Sequence, residues 1–225
     1  TRYIFANKSF NLLTMGPDFL RNYFSRTINL ISPDIINKFG KFINISRLGD
    51  KVHKASEVMI SKDLEDYYDK LVSYWENGTI ISSKNDLKYR FISQLGNIEN
   101  MMLADQLNYL PNDILVKGDR AAMSQSLETR APFLDHLLSK FAWSIPLEWR
   151  LENNKGKKIL RDILSESLPG KLIDRPKQGF GLPVNEWIRG PLKEWALSLF
   201  DKQNLPKDGI INGEIARATL DQHLK

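Results

Sequence analysis

The sequence predicts a mainly α-helical protein. Apolar residues recur every three or four positions in most segments, as do Leu20, Phe24 and Ile28, and this is the spacing of one helix face. Residues that begin or end helices flank these segments, for instance Ser32-Pro33-Asp34 and Pro169-Gly170. Alternating strand patterns are scarce, so we expect any strands to be short and peripheral and the parallel sheet of a nucleotide-binding domain to be missing.

Each helix is placed where a start signal precedes a stretch of helical spacing. Pro17 begins the first of them, Asp63 precedes another, and Asp135 is placed to cap the helix that starts at His136. Glycine and proline end several helices, as at Gly78. The predicted helices span residues 17–31, 33–43, 50–60, 63–76, 86–108, 112–126, 135–144, 156–167, 183–189, 191–200 and 213–224.

One internal boundary stands out between these helices. Residues 77–85 combine an Asn-Gly turn signal with small polar residues, which is typical of a linker. We therefore predict a helical region over residues 1–78 and a second helical region over residues 86–225. Tyr67, Tyr68 and Trp75, which precede the linker, are interpreted as aromatic residues that pack helices together.

Composition narrows the function classes. The chain has 225 residues, 42% hydrophobic and 26% charged, as in an ordinary globular protein, and it has no apolar run long enough to cross a bilayer. We therefore expect a cytoplasmic location. The absence of cysteine excludes disulfides, thiolate metal sites and a cysteine nucleophile, and three scattered histidines do not predict a metal site. Chemistry in this chain has to rely on carboxylates, lysines and arginines.

Positive charge is concentrated near residues 155–177. The net charge of the chain is +5, and this segment carries seven basic residues against three acidic ones. One interpretation is a solvated helix face; the other is a helical binding module that uses this basic surface for nucleic acid or an acidic partner. Trp187 and Trp195 would be the stacking groups of such a module, although helix packing is the favoured role for both.

The segment Arg175-Pro176-Lys177-Gln178-Gly179-Phe180-Gly181 is the most informative stretch of the chain. Pro176 fixes its own φ and favours an extended Arg175, while the two glycines leave the backbone open for close approach of an anion. Lys177 is thus presented from a constrained loop. A lysine ammonium is a compact charge on a long stem, which suits the stabilisation of charge on a phosphoryl oxygen.

A second charged group precedes that loop. Asp113, Lys117 and Arg120 stand at i, i+4 and i+7, so a helix would place all three on one face. One carboxylate between two cations suits a substrate that carries both an amine and a carboxylate, or a phosphate; the alternative is a surface ladder of ion pairs.

A third segment, Ser126-Leu127-Glu128-Thr129-Arg130-Ala131-Pro132-Phe133-Leu134-Asp135, follows that helix. We expect structural roles here: Glu128 and Arg130 hold the turn through buried or half-buried hydrogen bonds, and Asp135 caps the next helix.

These three motifs, in this order, resemble the C-terminal half of the synthetase domain of the asparagine synthase (glutamine-hydrolysing) family over about residues 107–200. The resemblance implies the helical C-terminal portion of an adenine-nucleotide α-hydrolase-like (PP-loop ATPase) domain. It also implies ATP-dependent amidation: the side-chain carboxylate of aspartate attacks the α-phosphate of ATP, pyrophosphate leaves, and ammonia derived from glutamine displaces AMP. Whether the acceptor is free aspartate or another carboxylate stays open.

The resemblance also implies roles for individual residues. Lys177 matches the family's lysine at the α-phosphate and is the predicted catalytic residue. Asp113, Lys117, Arg120 and Arg175 are predicted to bind substrate or nucleotide, with Lys117 an imperfect match to a family arginine.

Two family segments are not found in this sequence. The chain contains no Gly-Gly pair, so it lacks the Ser-Gly-Gly-x-Asp-Ser loop that cradles pyrophosphate, and it lacks the acidic segment that helps to hold Mg²⁺. It begins Thr1-Arg2-Tyr3, where the family has an Asn-Arg-Tyr-like stretch after that acidic segment. We therefore expect a truncated chain whose partners are the missing PP-loop and glutaminase regions. ATP and Mg²⁺ would be cofactors of the full-length enzyme, the isolated chain would be inactive, and nucleic acid is not expected as a ligand.

Overall fold

The computed structural model describes residues 2–32, 35–37, 48–73, 90–175, 182–201, 203–205 and 210–224. Within these residues the chain is mainly helical, with one two-stranded antiparallel sheet, which confirms the predicted fold class. No helix in the described part is long and apolar enough to cross a membrane.

Thirteen α-helices are present in the described residues. The α-helices are α1 (Arg2–Thr14), α2 (Asp18–Asn29), α3 (Leu48–Met59), α4 (Leu64–Val72), α5 (Asn97–Ala104), α6 (Val116–Met123), α7 (His136–Ser144), α8 (Leu147–Arg150), α9 (Lys158–Ser165), α10 (Gly170–Ile173), α11 (Val184–Arg189), α12 (Lys193–Leu199) and α13 (Gly213–Leu224). A π-helix, Asp105–Leu115, joins α5 to α6, and a 3₁₀ turn, Pro132–Leu134, precedes α7. The strands are β1 (Leu151–Glu152) and β2 (Lys155–Gly156).

The chain divides into two compact units. The first comprises Thr1–Val72 and Tyr89–Asp174, and the second comprises Ser73–Lys88 and Arg175–Lys225. Within the second unit, α11 packs on α12 and α13. The predicted division of the chain at residues 78–86 stays a prediction, because the linker itself, residues 77–85, lies outside the described residues.

The hydrophobic core of the first unit lies where α1, α3, α4 and α5 meet. Its buried members are Ala6, Val58, Leu64, Tyr67, Tyr68 and Met101. The Tyr67 ring meets Phe10 edge to face, with centroids 5.4 Å apart, and its hydroxyl lies 2.6 Å from the hydroxyl of Ser9. The prediction that Tyr67 and Tyr68 pack helices is therefore confirmed, while Trp75 lies outside the described residues.

Helix α1 is absent from the sequence prediction. Its apolar residues are spread around the helix, since Ala6 is buried while Phe5 and Leu12 are 68% and 69% exposed. Without a single apolar stripe, the spacing gives no helical signal. Packing of α1 on α4 and α5 holds this helix in place.

The predicted helix 86–108 and the predicted break before residue 112 are both corrected by the structure. Residues 90–96 are not helical; the side chain of Asn100 bonds the backbone of Ile92 and Leu95 there, and the helix begins at Asn97. The helical chain then continues through Pro111 as the π-helix. Proline lacks an N–H and its ring clashes with the carbonyl four residues earlier in an α-helix, and a wider turn relieves that clash.

Most of the other predicted helices are confirmed to within a few residues. They are 17–31, 50–60, 63–76 as far as it is described, 135–144, 156–167, 183–189, 191–200 and 213–224. Of the predicted helix 33–43, the structure describes residues 35–37, which are helical. Helices α8 and α10 and the β1–β2 hairpin are additions to the prediction, each too short to show a period.

Candidate functional site

Asp113 and Lys117 lie next to each other at the end of the π-helix and the start of α6. The Asp113 Oδ1 to Lys117 Nζ distance is 2.7 Å, with the side chains 32% and 71% exposed. The predicted contact between a carboxylate and a cation is therefore present. A pair this exposed contributes less than about 1 kcal/mol to stability, so both groups are available for a ligand at little cost in folding.

Arg120 continues the same helical run on α6, one turn beyond Lys117, and its side chain is exposed. Within the described residues no ion pair joins it to Asp113. The structure thus brings together two of the three predicted groups and places the third further along the helix, exposed to solvent.

Glu128 and Arg130 form an ion pair with each other, and their side chains are 70% and 84% exposed. The expectation that buried or half-buried hydrogen bonds hold them is wrong. They lie in an extended segment that follows the left-handed Ser126, where φ is 55°, and that segment lies exposed on the surface of its unit.

Asp135 occupies the predicted N-cap of α7. Its Oδ1 accepts hydrogen bonds from the backbone N–H groups of Leu137 and Leu138 at 2.9 and 3.0 Å. The carboxylate therefore satisfies two of the helix's unpaired donors and faces the positive end of the helix dipole. This confirms the structural role predicted for Asp135.

Of the loop that carries Lys177, only the flanking residues Arg175 and Leu182 are described. Arg175 is the first described residue of the second unit after α10, and Leu182 resumes the description on the other side. Lys177, with Gly179 and Gly181, lies outside the described residues. Its predicted role, and that of Arg175, stay predictions.

Comparison with known proteins matches the sequence to a family model. The asparagine synthase family model matches residues 13–225. The chain belongs to the asparagine synthase family. It is 28% identical over 170 residues to "Asparagine synthetase [glutamine-hydrolyzing] 1" of Bacillus subtilis, covering 76% of this chain and 26% of that protein.

Two other relatives in the asparagine synthase family match shorter stretches. A "Putative asparagine synthetase [glutamine-hydrolyzing]" of Mycobacterium bovis is 38% identical over 100 residues, which is 44% of this chain and 15% of the relative. "Asparagine synthetase [glutamine-hydrolyzing] 3" of Bacillus subtilis is 33% identical over 114 residues, 50% of this chain and 18% of the relative. The chain thus matches at most about a quarter of the length of these relatives. No solved structure matches it.

Three cations of the basic segment of this asparagine synthase family member form ion pairs in the part that the structure describes. Lys158 pairs with Glu152 at 2.8 Å, Lys155 pairs with Asp174 at 3.0 Å, and Arg161 also pairs with Asp174. The hydrogen bond with Glu152 raises the pKa of Lys158. These pairs line a cavity of about 230 Å³ together with Asn153 and Asp162. Glu152 and Asp174 therefore balance three of the segment's cations in part, and binding of this segment to nucleic acid stays a hypothesis.

Large apolar side chains are exposed along residues 105–174. Between residues 105 and 174 no residue is buried, and several large apolar side chains in α7 and near it are exposed. We call this the apolar face; its members include Leu127, Phe133, Leu137, Phe141, Trp149, Ile163 and Leu172. Monomeric proteins rarely leave so much large apolar surface in water, so this face has the character of a contact surface.

The described residues do not by themselves form a metal site. No three histidine or acidic side chains lie together there as a metal-binding group. Asp113 is the one carboxylate of the predicted substrate-binding group, and the phosphate-cradling loop is absent from the sequence. The described residues therefore do not fit Mg²⁺ or the ATP phosphates without further ligands.

Proposed function

We propose that this chain forms the helical part of a glutamine-dependent asparagine synthetase, a carbon–nitrogen ligase that uses ATP to amidate aspartate. The observation that carries the proposal is the exposed Asp113–Lys117 pair, 2.7 Å apart, within a chain that the asparagine synthase model matches over residues 13–225. The relatives' names support glutamine as the nitrogen source and aspartate as the acceptor.

The proposed reaction has two steps. A side-chain carboxylate oxygen of aspartate attacks the α-phosphorus of ATP, the bond to the bridging oxygen breaks, and pyrophosphate leaves with its electron pair. Ammonia from glutamine then attacks the acyl carbon of the β-aspartyl-adenylate, loses a proton and displaces AMP. Both steps place negative charge on phosphate oxygens.

The residues of this chain would supply charge and orientation to these steps. Lys177 would stabilise the negative charge that develops at the α-phosphate, and Arg175 would stand beside it in the sequence. Asp113 would hold the ammonium group of aspartate, while Lys117 and Arg120 would offer cations to a carboxylate or phosphate. Because Lys117 already pairs with Asp113, ligand binding would replace one ion pair by two and cost little reorganisation.

The active site would be completed by a nucleotide-binding region that this chain does not contain. The apolar face of residues 105–174 supports this proposal, because its exposed side chains would be covered by such a region. The share of the relatives that the chain matches, 26% or less, agrees with a further region of that kind. The isolated chain should therefore be inactive, and calorimetry should detect weak or no binding of ATP with Mg²⁺. Tight stoichiometric binding would contradict the division of the site between two regions.

The central test is Lys177→Ala in the full-length protein. Pyrophosphate release should fall by about two orders of magnitude or more, the usual effect of removing one charge-stabilising donor, while the melting temperature changes little. Lys177→Arg should fail to restore the rate, because a planar guanidinium does not match the geometry of an ammonium. Lys171→Ala, another lysine of the same segment, is the matched control and should retain the rate. Normal pyrophosphate release from Lys177→Ala would remove this residue from the mechanism.

A further inference from the structure

A polar cluster lies at the point where the long helix changes from α to π geometry. Asp105 is the first residue of the π-helix, and its side chain is 13% exposed. Its carboxylate pairs with the guanidinium of Arg2 and accepts a hydrogen bond of 2.6 Å from the hydroxyl of Tyr3. Arg2 and Tyr3 belong to the first turn of α1, so a distant segment reaches this junction.

Arg2 also spans the first turn of the π-helix. Its guanidinium carbon lies 5.3 Å from the ring centroid of Tyr109, four residues after Asp105, and 5.2 Å from that of Tyr3. Cation–π contacts of this length add to the ion pair at the same group. The guanidinium of Arg2 therefore contacts both Asp105 and Tyr109, the two ends of this stretch.

Helix α7 also contacts this turn. The indole Nε1 of Trp143 donates a hydrogen bond of 2.7 Å to the side-chain oxygen of Gln106, the residue after Asp105. Arg150 lies over the Trp143 ring at 5.4 Å and pairs with Glu99 on α5. The first π turn is thus fixed by side chains from two different elements.

Pro111 does not account for the position of this change. A proline ring clashes with the carbonyl four residues earlier, which is that of Leu107, so its effect begins after the π-helix has begun. The change coincides instead with the residue that Arg2 and Tyr3 hold. Long π-helical stretches are rare and need tertiary contacts to persist.

We propose that Asp105, held by Arg2 and Tyr3, is a positioning residue that fixes the first π turn and so sets the orientation of Asp113 and Lys117 further along the same helix. The helix runs without interruption from Asp105 through Asp113 to Met123, so a rotation in its first turn is carried to the Asp113–Lys117 pair. The consequence for catalysis rests on the proposed function, whereas the consequence for the helix does not.

Hydrogen exchange on the 225-residue chain tests the structural part of the proposal, namely that Asp105 fixes the first π turn. Asp105→Asn should raise amide exchange across residues 105–117 by about tenfold or more, because a charged hydrogen-bonded pair is lost, and should leave α2 protected. Asp66→Asn is the matched control: it removes the half-buried Asp66–Lys70 pair within α4, away from the π-helix, and should leave residues 105–117 unchanged. Unchanged exchange over 105–117 in Asp105→Asn would overturn the proposal.

Tyr3→Phe decides the matter if Asp105→Asn unfolds the chain. It removes one hydrogen bond and keeps the ion pair of Arg2 with Asp105, so a smaller rise confined to residues 105–117 is expected. A rise that extends equally to α2 would show that the cluster merely stabilises the core, and no rise at all would show that this hydrogen bond does not hold the turn; either result would overturn the proposal.

Pyrophosphate release by the full-length protein tests the functional part of the proposal, namely that Asp105 orients Asp113 and Lys117 for catalysis. Asp105→Asn should lower kcat about tenfold, and Asp105→Glu should recover part of the loss. In the double variant with Asp113→Asn, the Asp105 substitution should add almost nothing, because both act through one group. Full additivity would overturn the positioning role. An Asp113→Asn variant with normal kcat would overturn the proposed function, and the exchange experiment would still decide whether Asp105 holds the helix.

Discussion

Two stretches of the first unit differ sharply in what their side chains contact. In residues 2–72 and 90–104, as far as they are described, the helices bury Ala6, Val58, Leu64, Tyr67, Tyr68 and Met101 against one another. In residues 105–174 no side chain is buried, although that stretch also carries many large apolar residues. The first stretch gains stability from its own packing, whereas the second keeps its apolar groups and the predicted site residues exposed.

The difference separates stability from function along one helical run. Helix α5 contributes Met101 to the core, and the π-helix that continues it carries Asp113 outside the core. Substitutions in the two stretches should therefore affect different measurements. Those in the core should lower the free energy of unfolding, and those beyond Asp105 should affect contacts with ligands and partners.

The largest contrast is expected between two apolar truncations. Met101→Ala removes a side chain that is 0% exposed and should lower the free energy of unfolding by about 2–5 kcal/mol. Phe141→Ala removes one that is 61% exposed and should change it by less than about 0.5 kcal/mol. Urea unfolding of both variants measures this, and equal losses would show that the apolar face is packed within the chain.

The next largest effect is expected from alkaline pH, which should lower the free energy of unfolding. Burial, and then its hydrogen bond to Asp105, raises the pKa of Tyr3; burial, and then the negative charge of Asp105, raises the pKa of Tyr68. The folded state therefore keeps protons that the unfolded chain loses above pH about 10, so stability is full below that pH and falls above it. Melting temperatures between pH 8 and 11 should drop by several degrees. The drop should shrink in the Tyr3→Phe, Tyr68→Phe double variant and persist in Tyr23→Phe, whose ring is 64% exposed.

Loss of the α7 cap should have a smaller effect. Asp135→Ala leaves two backbone N–H groups without their acceptor and should cost about 1 kcal/mol of unfolding free energy. Asp135→Asn, which keeps an acceptor oxygen, should retain most of the stability. Equal losses of unfolding free energy in the two variants would mean that the negative charge of Asp135 stabilises the helix and that its cap hydrogen bonds do not.

The smallest effect is expected for the exposed pair of Glu128 and Arg130. Replacing Glu128 by Gln should change the free energy of unfolding by less than about 0.5 kcal/mol, since both side chains are more than two-thirds exposed. Denaturant unfolding at low and high salt checks this. A larger loss would place these residues in a packed contact and restore the buried role that the sequence predicted.

Local patterns account for what the sequence predicted correctly. Helix α7 and its Asp135 cap follow from neighbouring residues, and the contact between Asp113 and Lys117 follows from a spacing of four. The exposure of Glu128 cannot be predicted from neighbouring residues, because it depends on whether another part of the chain covers that segment.

Contacts over long sequence distances account for what it missed. Asp105 meets Arg2 across 103 positions, and no local pattern indicates such a pairing. The passage of the helix through Pro111 was missed for a related reason. The proline is a strong local stop signal, and the π geometry that overrides it is held by α1 and α7.

The β1–β2 hairpin limits how this region can change length over evolution. Asn153 and Asn154 form a two-residue loop with φ of 48° and 63°, and the register pairs Glu152 with Lys155. Such tight loops match the twist of their strands, and one inserted residue would shift the register and turn Glu152 to the opposite face, away from Lys158. Insertions, peptide tags and gaps between homologues should therefore avoid residues 151–156, although the loop is exposed.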